Sequence, residues 1–159
     1  MLQAGQSAPS FNLPDALGTR VQLSDFSGDK TVVLYFYPKD DTPGCTIEAN
    51  DFTRMAADFA AANTVVLGVS RDSCDSHAAF VAKYGLNVRL LSDADGTVCE
   101  DYGVWQEKER DGKKSMGIVR STFIISTRGE IKHALYGVNA EGHAAQVLDM
   151  VKGLASSSE

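Results

Sequence analysis

Short apolar runs and longer amphipathic segments alternate along the first half of the chain. Residues 31–37, 64–70 and 88–91 are rich in β-branched, aliphatic and aromatic side chains, which is typical of strands buried on both faces of a parallel sheet. Residues 43–62 and 73–84 carry apolar side chains at spacings of three and four, which predicts amphipathic helices. The order β-α-β-α-β predicts a parallel sheet whose strands are joined by right-handed helical crossovers.

The second half of the chain shows a pattern of shorter, antiparallel pairs. Asp111-Gly112 is a strong signal for a two-residue hairpin turn, and Arg128-Gly129 separates two further apolar segments. The predicted elements are a short helix, a hairpin, two strands and a C-terminal amphipathic helix, at residues 97–102, 104–118, 121–126, 131–138 and 141–154. The prediction is therefore an α/β fold with a central mixed sheet flanked by helices.

The two ends of the chain add little to this core. Pro9 and Pro14 predict extended edge structure before a short strand at residues 21–23. No linker or internal repeat divides the chain, and its 159 residues fit one domain covering 1–159. Within that domain, the serine-rich residues 155–159 are expected to form a frayed tail.

Composition and charge argue against several classes of protein. The chain has 15 basic and 21 acidic residues and a net charge of −6, whereas a nucleic-acid-binding protein needs a basic surplus. No apolar run approaches the roughly 20 residues of a membrane span, and the first residues lack the basic and apolar regions of a signal peptide. Three scattered cysteines do not form a disulfide framework and indicate a reducing compartment, so the expected location is cytoplasmic.

The loop after the first buried strand carries the most informative cysteine. Loops at the carboxyl ends of parallel strands are the usual place for a reactive site, and this one leads into a predicted helix. Thr42 suits the N-cap and Pro43 the first helical position, so Cys45 falls at the third position. Backbone N–H groups without helical partners and the helix dipole favour a thiolate there.

The residues around Cys45 indicate which chemistry such a thiolate would perform. Thioredoxins place a Cys-x-x-Cys pair at this kind of strand-to-helix junction, but here the four residues are Thr42-Pro43-Gly44-Cys45. Dithiol exchange is therefore lost, whereas a single thiolate beside a hydroxyl suits the reduction of a hydroperoxide. The sulfur attacks one peroxide oxygen, the other oxygen leaves, and the hydroxyl of Thr42 orients the peroxide.

With these residues in place, the sequence resembles the peroxiredoxins. Pro38-x-x-x-Thr42-x-x-Cys45 matches the peroxiredoxin active-site motif position by position. The longer stretch from Tyr35 to Glu48 resembles the bacterioferritin comigratory (Q-type) branch. The resemblance extends from about residue 5 to 154 in the family's order, with further matching segments at Gly68-Val69-Ser70-Arg71-Asp72-Ser73, Ser76-His77, Ser92-Asp93 and Gly117-Ile118-x-Arg120-Ser121-Thr122-Phe123.

The resemblance implies a thioredoxin-like fold with an N-terminal extension, and a thiol-dependent peroxidase without metal, haem, flavin or other cofactor. Cys45 matches the peroxidatic cysteine, which becomes a sulfenic acid, and Thr42 matches the residue that hydrogen-bonds the peroxide. Pro38 matches the proline that shields the pocket, and Arg120 the arginine that steadies the thiolate and the transition state. The implied substrates are hydrogen peroxide and organic hydroperoxides, with antioxidant defence as the role.

The sequence says less about how the sulfenic acid of Cys45 is reduced back to the thiol. Many members carry a resolving cysteine five or 36 residues after the peroxidatic one, but those positions here are Asn50 and Val81. The default prediction is one-cysteine catalysis, in which thioredoxin, glutaredoxin or glutathione attacks Cys45. Cys74, at the start of a predicted helix, is the alternative resolving residue, and Cys99, on an apolar face, is predicted to be inert core. The expected assembly is a monomer or weak dimer.

Two alternatives stay open at this point. A thioredoxin-like disulfide reductase would lack its first cysteine, and all four prolines precede the second core strand, so the cis-proline of thioredoxins is missing. A non-catalytic module with the same fold would not need Thr42, Cys45 and Arg120. The histidines show no metal-ligand spacing: His77 is expected to make a local hydrogen bond and His143 to be solvated.

Overall fold

The structure is a computed structural model that describes the backbone of residues 1–157 and the side chains of residues 1–154. The strands are β1 (Asn12–Pro14), β2 (Arg20–Gln22), β3 (Thr31–Phe36), β4 (Thr64–Ser70), β5 (Arg89–Ser92), β6 (Trp105–Arg110), β7 (Lys113–Ile118), β8 (Ser121–Ile125) and β9 (Ile131–Tyr136). The helices are α1 (Pro43–Arg54), α2 (Ala56–Ala61), α3 (Cys74–Tyr84), α4 (Thr97–Asp101) and α5 (His143–Ser157). A 3-10 helix, Leu23–Phe26, follows β2.

Five strands form the central sheet in the order β5-β4-β3-β8-β9. Strands β3, β4 and β5 are parallel, whereas β8 is antiparallel to both β3 and β9, so the predicted mixed sheet is confirmed. Strands β6 and β7 form a separate hairpin, in which Asp111 and Gly112 have φ of 54° and 79°. Both turn residues adopt the left-handed conformation of a type I′ turn, as the Asp-Gly pair predicts.

The first part of the chain attaches to both edges of this sheet. Strands β1 and β2 pair with each other in a small antiparallel sheet. One bridge joins Ser7 to Glu130 beside β9, and another joins Asp15 to Leu91 in β5. The extended edge structure predicted around Pro9 and Pro14 therefore exists as an N-terminal extension that spans the sheet.

The buried side chains of β3 alternate between two hydrophobic cores. Val33 and Tyr35 join residues of α1, α3 and α5 on one face of the sheet, and Val32 and Phe36 join residues of α4 and the N-terminal extension on the other. This alternation has the period of two that a strand requires. Both faces are covered, as the uninterrupted apolar run predicts. Cys45 belongs to the first of these cores.

Two helices depart from their predicted bounds. The predicted helix at 43–62 is divided into α1 and α2 by Met55, whose φ of −99° and ψ of 9° lie outside the helical region; no glycine or proline marks this break in the sequence. Helix α5 continues to Ser157, into the segment predicted to fray from residue 155, and residues 158–159 of that segment lie outside the described residues. None of the helices in the described part of the chain combines the length and hydropathy needed to cross a membrane.

Candidate active site

Cys45 is the third residue of α1, the helix that follows the carboxyl end of β3. The chain enters this helix at Thr42, which has the extended conformation of an N-cap with φ of −103° and ψ of 155°, and Pro43 begins the helix as predicted. The Cys45 side chain is only 2% exposed. The sulfur is therefore buried in the first turn of a helix, where the dipole favours an anion.

The loop between β3 and α1 holds two of the predicted site residues. Pro38 is exposed, in the stretch where the chain leaves the sheet. Thr42 lies at the N-cap, but its hydroxyl does not cap the helix. The hydroxyl donates instead to the Lys39 carbonyl oxygen at 2.8 Å. Because the hydroxyl proton is used in that bond, the Thr42 oxygen keeps its lone pairs for a donor such as a hydroperoxide O–H.

Arg120 brings a positive charge to the sulfur. Its Nη2 donates to Cys45 Sγ at 3.3 Å, and its Nη1 donates to Glu48 Oε1 at 2.6 Å. Burial alone would lower the pKa of the Arg120 guanidinium. The negative charges of Glu48 and Cys45 outweigh this effect and raise that pKa. Gly44 leaves room for this group, since a β-carbon at that position would lie 3.0 Å from Nη2. The structure thus brings Cys45 and Arg120 into direct contact.

Glu48 is a member of the site to which the sequence assigned no role. It lies three residues after Cys45 on α1 and is fully buried, and its Oε2 has no hydrogen-bond partner among the described residues. Burial raises the pKa of Glu48 to about 7, although the charge of Arg120 opposes this. The i, i+3 spacing from Cys45 places both side chains on one helix face, which was the signal available in the sequence. The Glu48 carboxylate therefore holds the Arg120 guanidinium in place, and the Glu48 carboxyl group itself gains or loses a proton near neutral pH.

The other two cysteines lie in different surroundings. Cys99 is fully buried in the core on the face of the sheet opposite to Cys45, and burial, together with Asp93, raises the pKa of its thiol. Its prediction as buried core is confirmed. Cys74 is the partly exposed first residue of α3, which follows β4, the strand beside β3. All three cysteines are unpaired.

Two histidine predictions are wrong. His143 was expected in solvent but is 2% exposed, and its Nε2 lies 2.7 Å from the Thr122 hydroxyl; burial lowers the pKa of this imidazole. His143 is buried by tertiary packing, because the first turn of α5 packs against α1. His77 was expected to bond locally, yet it is fully buried and contacts Asp40 and Leu91, 37 residues before it and 14 after it.

Comparison with known proteins agrees with this geometry. The AhpC/TSA family model matches residues 4–134. The peroxiredoxin Bcp of Bacillus subtilis is 42% identical over 154 residues, which are 97% of this chain and 98% of that protein. The peroxiredoxin Bcp of Escherichia coli is 42% identical over 151 residues, which are 95% of this chain and 96% of that protein.

Solved structures extend the likeness to the fold. A cysteine-to-serine mutant of Xylella fastidiosa PrxQ superposes with a TM-score of 0.92 at 38% identity, covering 98% of both chains. The Xanthomonas campestris bacterioferritin comigratory protein, solved for its alkyl peroxide reduction activity, superposes with a TM-score of 0.86 at 41% identity, covering 91% of this chain and 92% of its own. These matches confirm the predicted thioredoxin-like fold. Because the family model and the relatives cover most of its length, the chain belongs to the AhpC/TSA family of peroxiredoxins and is a thiol-dependent peroxidase.

Proposed function

We propose that Cys45 is the peroxidatic nucleophile, that Thr42 and Arg120 hold the peroxide, and that Pro38 borders its pocket. The observation that carries this proposal is the 3.3 Å contact between Arg120 Nη2 and Cys45 Sγ at the start of α1. A guanidinium stays charged throughout the physiological pH range, so it favours the thiolate over the thiol. Its N–H donors also suit a peroxide oxygen.

In the first half-reaction the Cys45 thiolate attacks the terminal, hydrogen-bearing oxygen of a hydroperoxide, R–O–O–H. The S–O bond forms as the O–O bond breaks, so the sulfur is oxidised to the sulfenic acid Cys45–S–O–H and the peroxide is reduced to R–O⁻. This oxyanion takes a proton from solvent and leaves as R–O–H, which is water when R is hydrogen. Hydrogen peroxide and organic hydroperoxides both suit the step, because R takes no part in it.

Charge moves from the sulfur to the leaving oxygen during this step. Groups that stabilise charge on the leaving oxygen therefore lower the barrier more than groups that only ionise the thiol. Arg120 and the backbone N–H groups in the first turn of α1 are the donors at hand. Thr42 accepts the hydroperoxide O–H, since its own proton is held by the Lys39 carbonyl. Acceptor and donors together orient the O–O bond toward the sulfur.

The second half-reaction uses an outside thiol. A reductant R′–S–H attacks the sulfenic sulfur, releases water and forms the mixed disulfide Cys45–S–S–R′. A second R′–S–H then frees the Cys45 thiol and leaves as R′–S–S–R′. Thioredoxin, glutaredoxin and glutathione each supply this chemistry. Cys74 is the internal alternative. A disulfide requires Cα atoms within about 7 Å, and we expect the first turn of α1 to unwind if Cys45 is to pair with Cys74.

The proposal extends to the location and the assembly of the enzyme. Three unpaired cysteines support a cytoplasmic, reducing location. Few large apolar side chains are exposed among residues 1–154, which supports a monomer or weak dimer; they are Met1, Leu17, Ile47 and Met116. Sedimentation over a range of protein concentrations tests the assembly.

The site is tested by adding one equivalent of peroxide to the fully reduced protein with a reagent that traps sulfenic acids. Peptide mass spectrometry is expected to find the adduct on Cys45. Cys45→Ser is expected to form no adduct and to lose peroxide consumption with dithiothreitol, while its circular dichroism stays that of the wild type. An adduct on Cys74 or Cys99 instead, or turnover of more than a few per cent in Cys45→Ser, rejects the assignment. Insulin reduction without peroxide consumption would favour a disulfide reductase.

A further inference from the structure

A buried hydrogen-bond network fastens the loop before Cys45 to helix α3. Its centre is Asp40, which is 7% exposed. The Asp40 carboxylate accepts from the Tyr37 hydroxyl at 2.5 Å and from the Ser76 hydroxyl at 2.7 Å, and His77 Nδ1 lies 2.7 Å from it. Ser76 and His77 belong to α3, whereas Tyr37 and Asp40 lie between β3 and α1. The network therefore joins two segments that are far apart in the chain.

Both ring nitrogens of His77 lie within hydrogen-bond distance of an oxygen atom. Nε2 lies 2.8 Å from the Leu91 carbonyl oxygen, which can only accept, so Nε2 carries a proton. Burial alone would raise the pKa of Asp40, but hydrogen bonds from His77 and Tyr37 outweigh it and lower that pKa, so the carboxylate is ionised. The 2.7 Å contact between Nδ1 and Oδ2 then holds a proton between the two side chains, so His77 is hydrogen-bonded to Asp40 and to Leu91 at once.

Asp40, Asp72 and His77 also form a group of described side chains compact enough for a metal ion. Both ring nitrogens of His77 are already engaged in hydrogen bonds, and each oxygen of Asp40 already accepts one. Asp72 Oδ2 accepts from the Asp40 backbone N–H at 2.8 Å and from the Ser70 hydroxyl at 2.7 Å. The cluster is thus satisfied by its own donors and serves to hold the loop.

The neighbouring residue strengthens the same attachment. Asp41 has φ of 58°, a left-handed conformation that is costly for a residue other than glycine. Its carboxylate accepts from Lys83 Nζ at 2.7 Å and from the Tyr84 hydroxyl at 2.6 Å, both on α3. Two successive loop residues are therefore held by one helix. The carbonyl just before them, that of Lys39, is the acceptor that orients the Thr42 hydroxyl.

We propose that the buried Asp40–His77 contact is a positioning device for the peroxide site: it fixes the peptide between Lys39 and Asp40, and thereby the Thr42 hydroxyl. The same contact ties the loop that leads into α1 to α3, and Cys45 is 2% exposed, so we expect an outside thiol to reach the oxidised sulfur more readily when this contact is lost. His77 thus acts on the two half-reactions in opposite directions. The inference rests on the proposed role of Thr42 and goes beyond it by naming the residues that position Thr42.

Two neutral substitutions of His77 separate its two contacts. The Nδ2 of asparagine takes the place of imidazole Nδ1, so His77→Asn keeps a donor for Asp40 and loses the Leu91 contact. His77→Gln reaches the Leu91 carbonyl and loses the donor for Asp40. We expect His77→Gln to slow the reaction of the reduced protein with peroxide by about tenfold or more, the loss typical of a hydrogen bond to a charged group. His77→Asn is expected to recover most of this loss.

The readouts are single-turnover rates of both half-reactions and hydrogen exchange of residues 38–45. In His77→Gln we expect slower oxidation by peroxide, faster reduction of the sulfenic acid by dithiothreitol, and faster amide exchange in that segment. Equal peroxide rates in the wild type and His77→Gln overturn the proposal, as do equal losses in both variants. Should His77→Gln not fold, Ser76→Ala, which removes one hydrogen bond to Asp40, is expected to shift both rates in the same two directions, and unchanged rates count against the proposal. Trapping of the sulfenic acid on Cys45 in every variant shows that the site assignment stands whichever result is found.

Discussion

Arg120 and Cys45 lie 75 residues apart in the chain, yet Arg120 Nη2 and Cys45 Sγ are 3.3 Å apart. Strand pairing explains the contact. In the antiparallel register of β3 and β8, Phe36 stands opposite Ser121, so Arg120 immediately before β8 arrives where β3 ends. Cys45 follows β3 by one short loop and stands at the same edge of the sheet. The pairing of β3 with β8 therefore positions the guanidinium, and α1 positions the sulfur.

Arg120→Ala is expected to slow the peroxide reaction more than loss of thiolate can explain. A free thiol of pKa ~8.5 is about 3% ionised at pH 7, so ionisation accounts for at most about thirtyfold. Removing one donor to a developing oxyanion costs about 10²–10³ in rate. Stopped-flow rates and a pH titration of the thiolate in the same variant separate the two effects. A rate loss that is fully recovered at high pH would show that Arg120 acts on ionisation alone.

Arg120→Lys is the matched variant for this prediction. It keeps a positive charge but not the planar fork that contacts Cys45 and Glu48 at the same time. An intermediate rate is expected, because the single nitrogen of an ammonium cannot reproduce the contacts that Nη1 makes with Glu48 and Nη2 with Cys45. A rate equal to that of the wild type would mean that charge alone is sufficient at this position.

Glu48 is expected to make the stability of the protein fall as the pH rises. Its pKa is raised from 4.5 to about 7 in the folded state, so between these values the folded protein holds a proton that the unfolded chain has released. The free energy of unfolding therefore decreases with rising pH across this range. One pKa unit corresponds to about 1.4 kcal/mol, so the full difference amounts to about 3 kcal/mol.

Glu48→Gln removes this titration, so its stability relative to the wild type is expected to rise from pH 4.5 to above pH 7. Urea unfolding at a series of pH values measures the difference. Glu107→Gln, at an exposed position of the β6–β7 hairpin, is the control for loss of one carboxylate. Parallel stability curves for Glu48→Gln and the wild type would show that Glu48 does not hold its proton on folding.

Features with a strong local signal could be predicted from the sequence, whereas contacts between distant side chains could not. The hairpin turn at Asp111-Gly112 and the start of α1 at Pro43 each depend on a few consecutive residues. Arg120 was assigned to the site from the family resemblance, because no spacing rule relates Arg120 to Cys45. The burial of His143 depends on how α5 packs against α1, which its position near the start of the predicted helix does not reveal.

Gly68→Ala is expected to destabilise the fold by about 1–3 kcal/mol, the usual cost of overpacking a core. Gly68 stands opposite Tyr35 of β3 and Leu90 of β5 in the sheet, and a β-carbon there would lie 2.7 Å from Tyr35 Cζ and 2.8 Å from Leu90 Cδ2. Tyr35 cannot move away freely, because its ring stacks on Phe52 at 4.7 Å between centroids. Thermal or urea unfolding measures the loss.

Gly153→Ala is the control for the effect of adding one methyl group. Gly153 lies in α5, and a β-carbon there would clash with none of the described residues. Alanine is favoured over glycine in a helix interior by about 0.8–1.0 kcal/mol, so this variant is expected to be more stable than the wild type. If Gly68→Ala were as stable as Gly153→Ala, the tight packing of Tyr35 over Gly68 would be refuted.

Replacement of either remaining cysteine by serine is expected to leave the peroxidase cycle intact. Cys99 packs on the opposite face of the sheet from Cys45, and burial keeps its thiol protonated by raising its pKa, so it cannot attack a sulfenic acid. Cys74 begins α3, and α3 is hydrogen-bonded to Asp40 and Asp41 in the loop between β3 and α1. Because those contacts hold both segments in place, a Cys45–Cys74 disulfide would require them to break.

The experiment oxidises the wild type, Cys74→Ser and Cys99→Ser with one equivalent of peroxide and maps the products under non-reducing conditions, with and without glutathione. All three proteins are expected to show a sulfenic acid on Cys45 alone, and a mixed disulfide at Cys45 when glutathione is present. Their turnover with an outside thiol is expected to agree within about twofold, since surface and inert core cysteines contribute little to the reaction. A Cys45–Cys74 disulfide in the wild type, with turnover lost in Cys74→Ser and kept in Cys99→Ser, would instead establish Cys74 as the resolving residue and α3 as a segment that moves in each cycle.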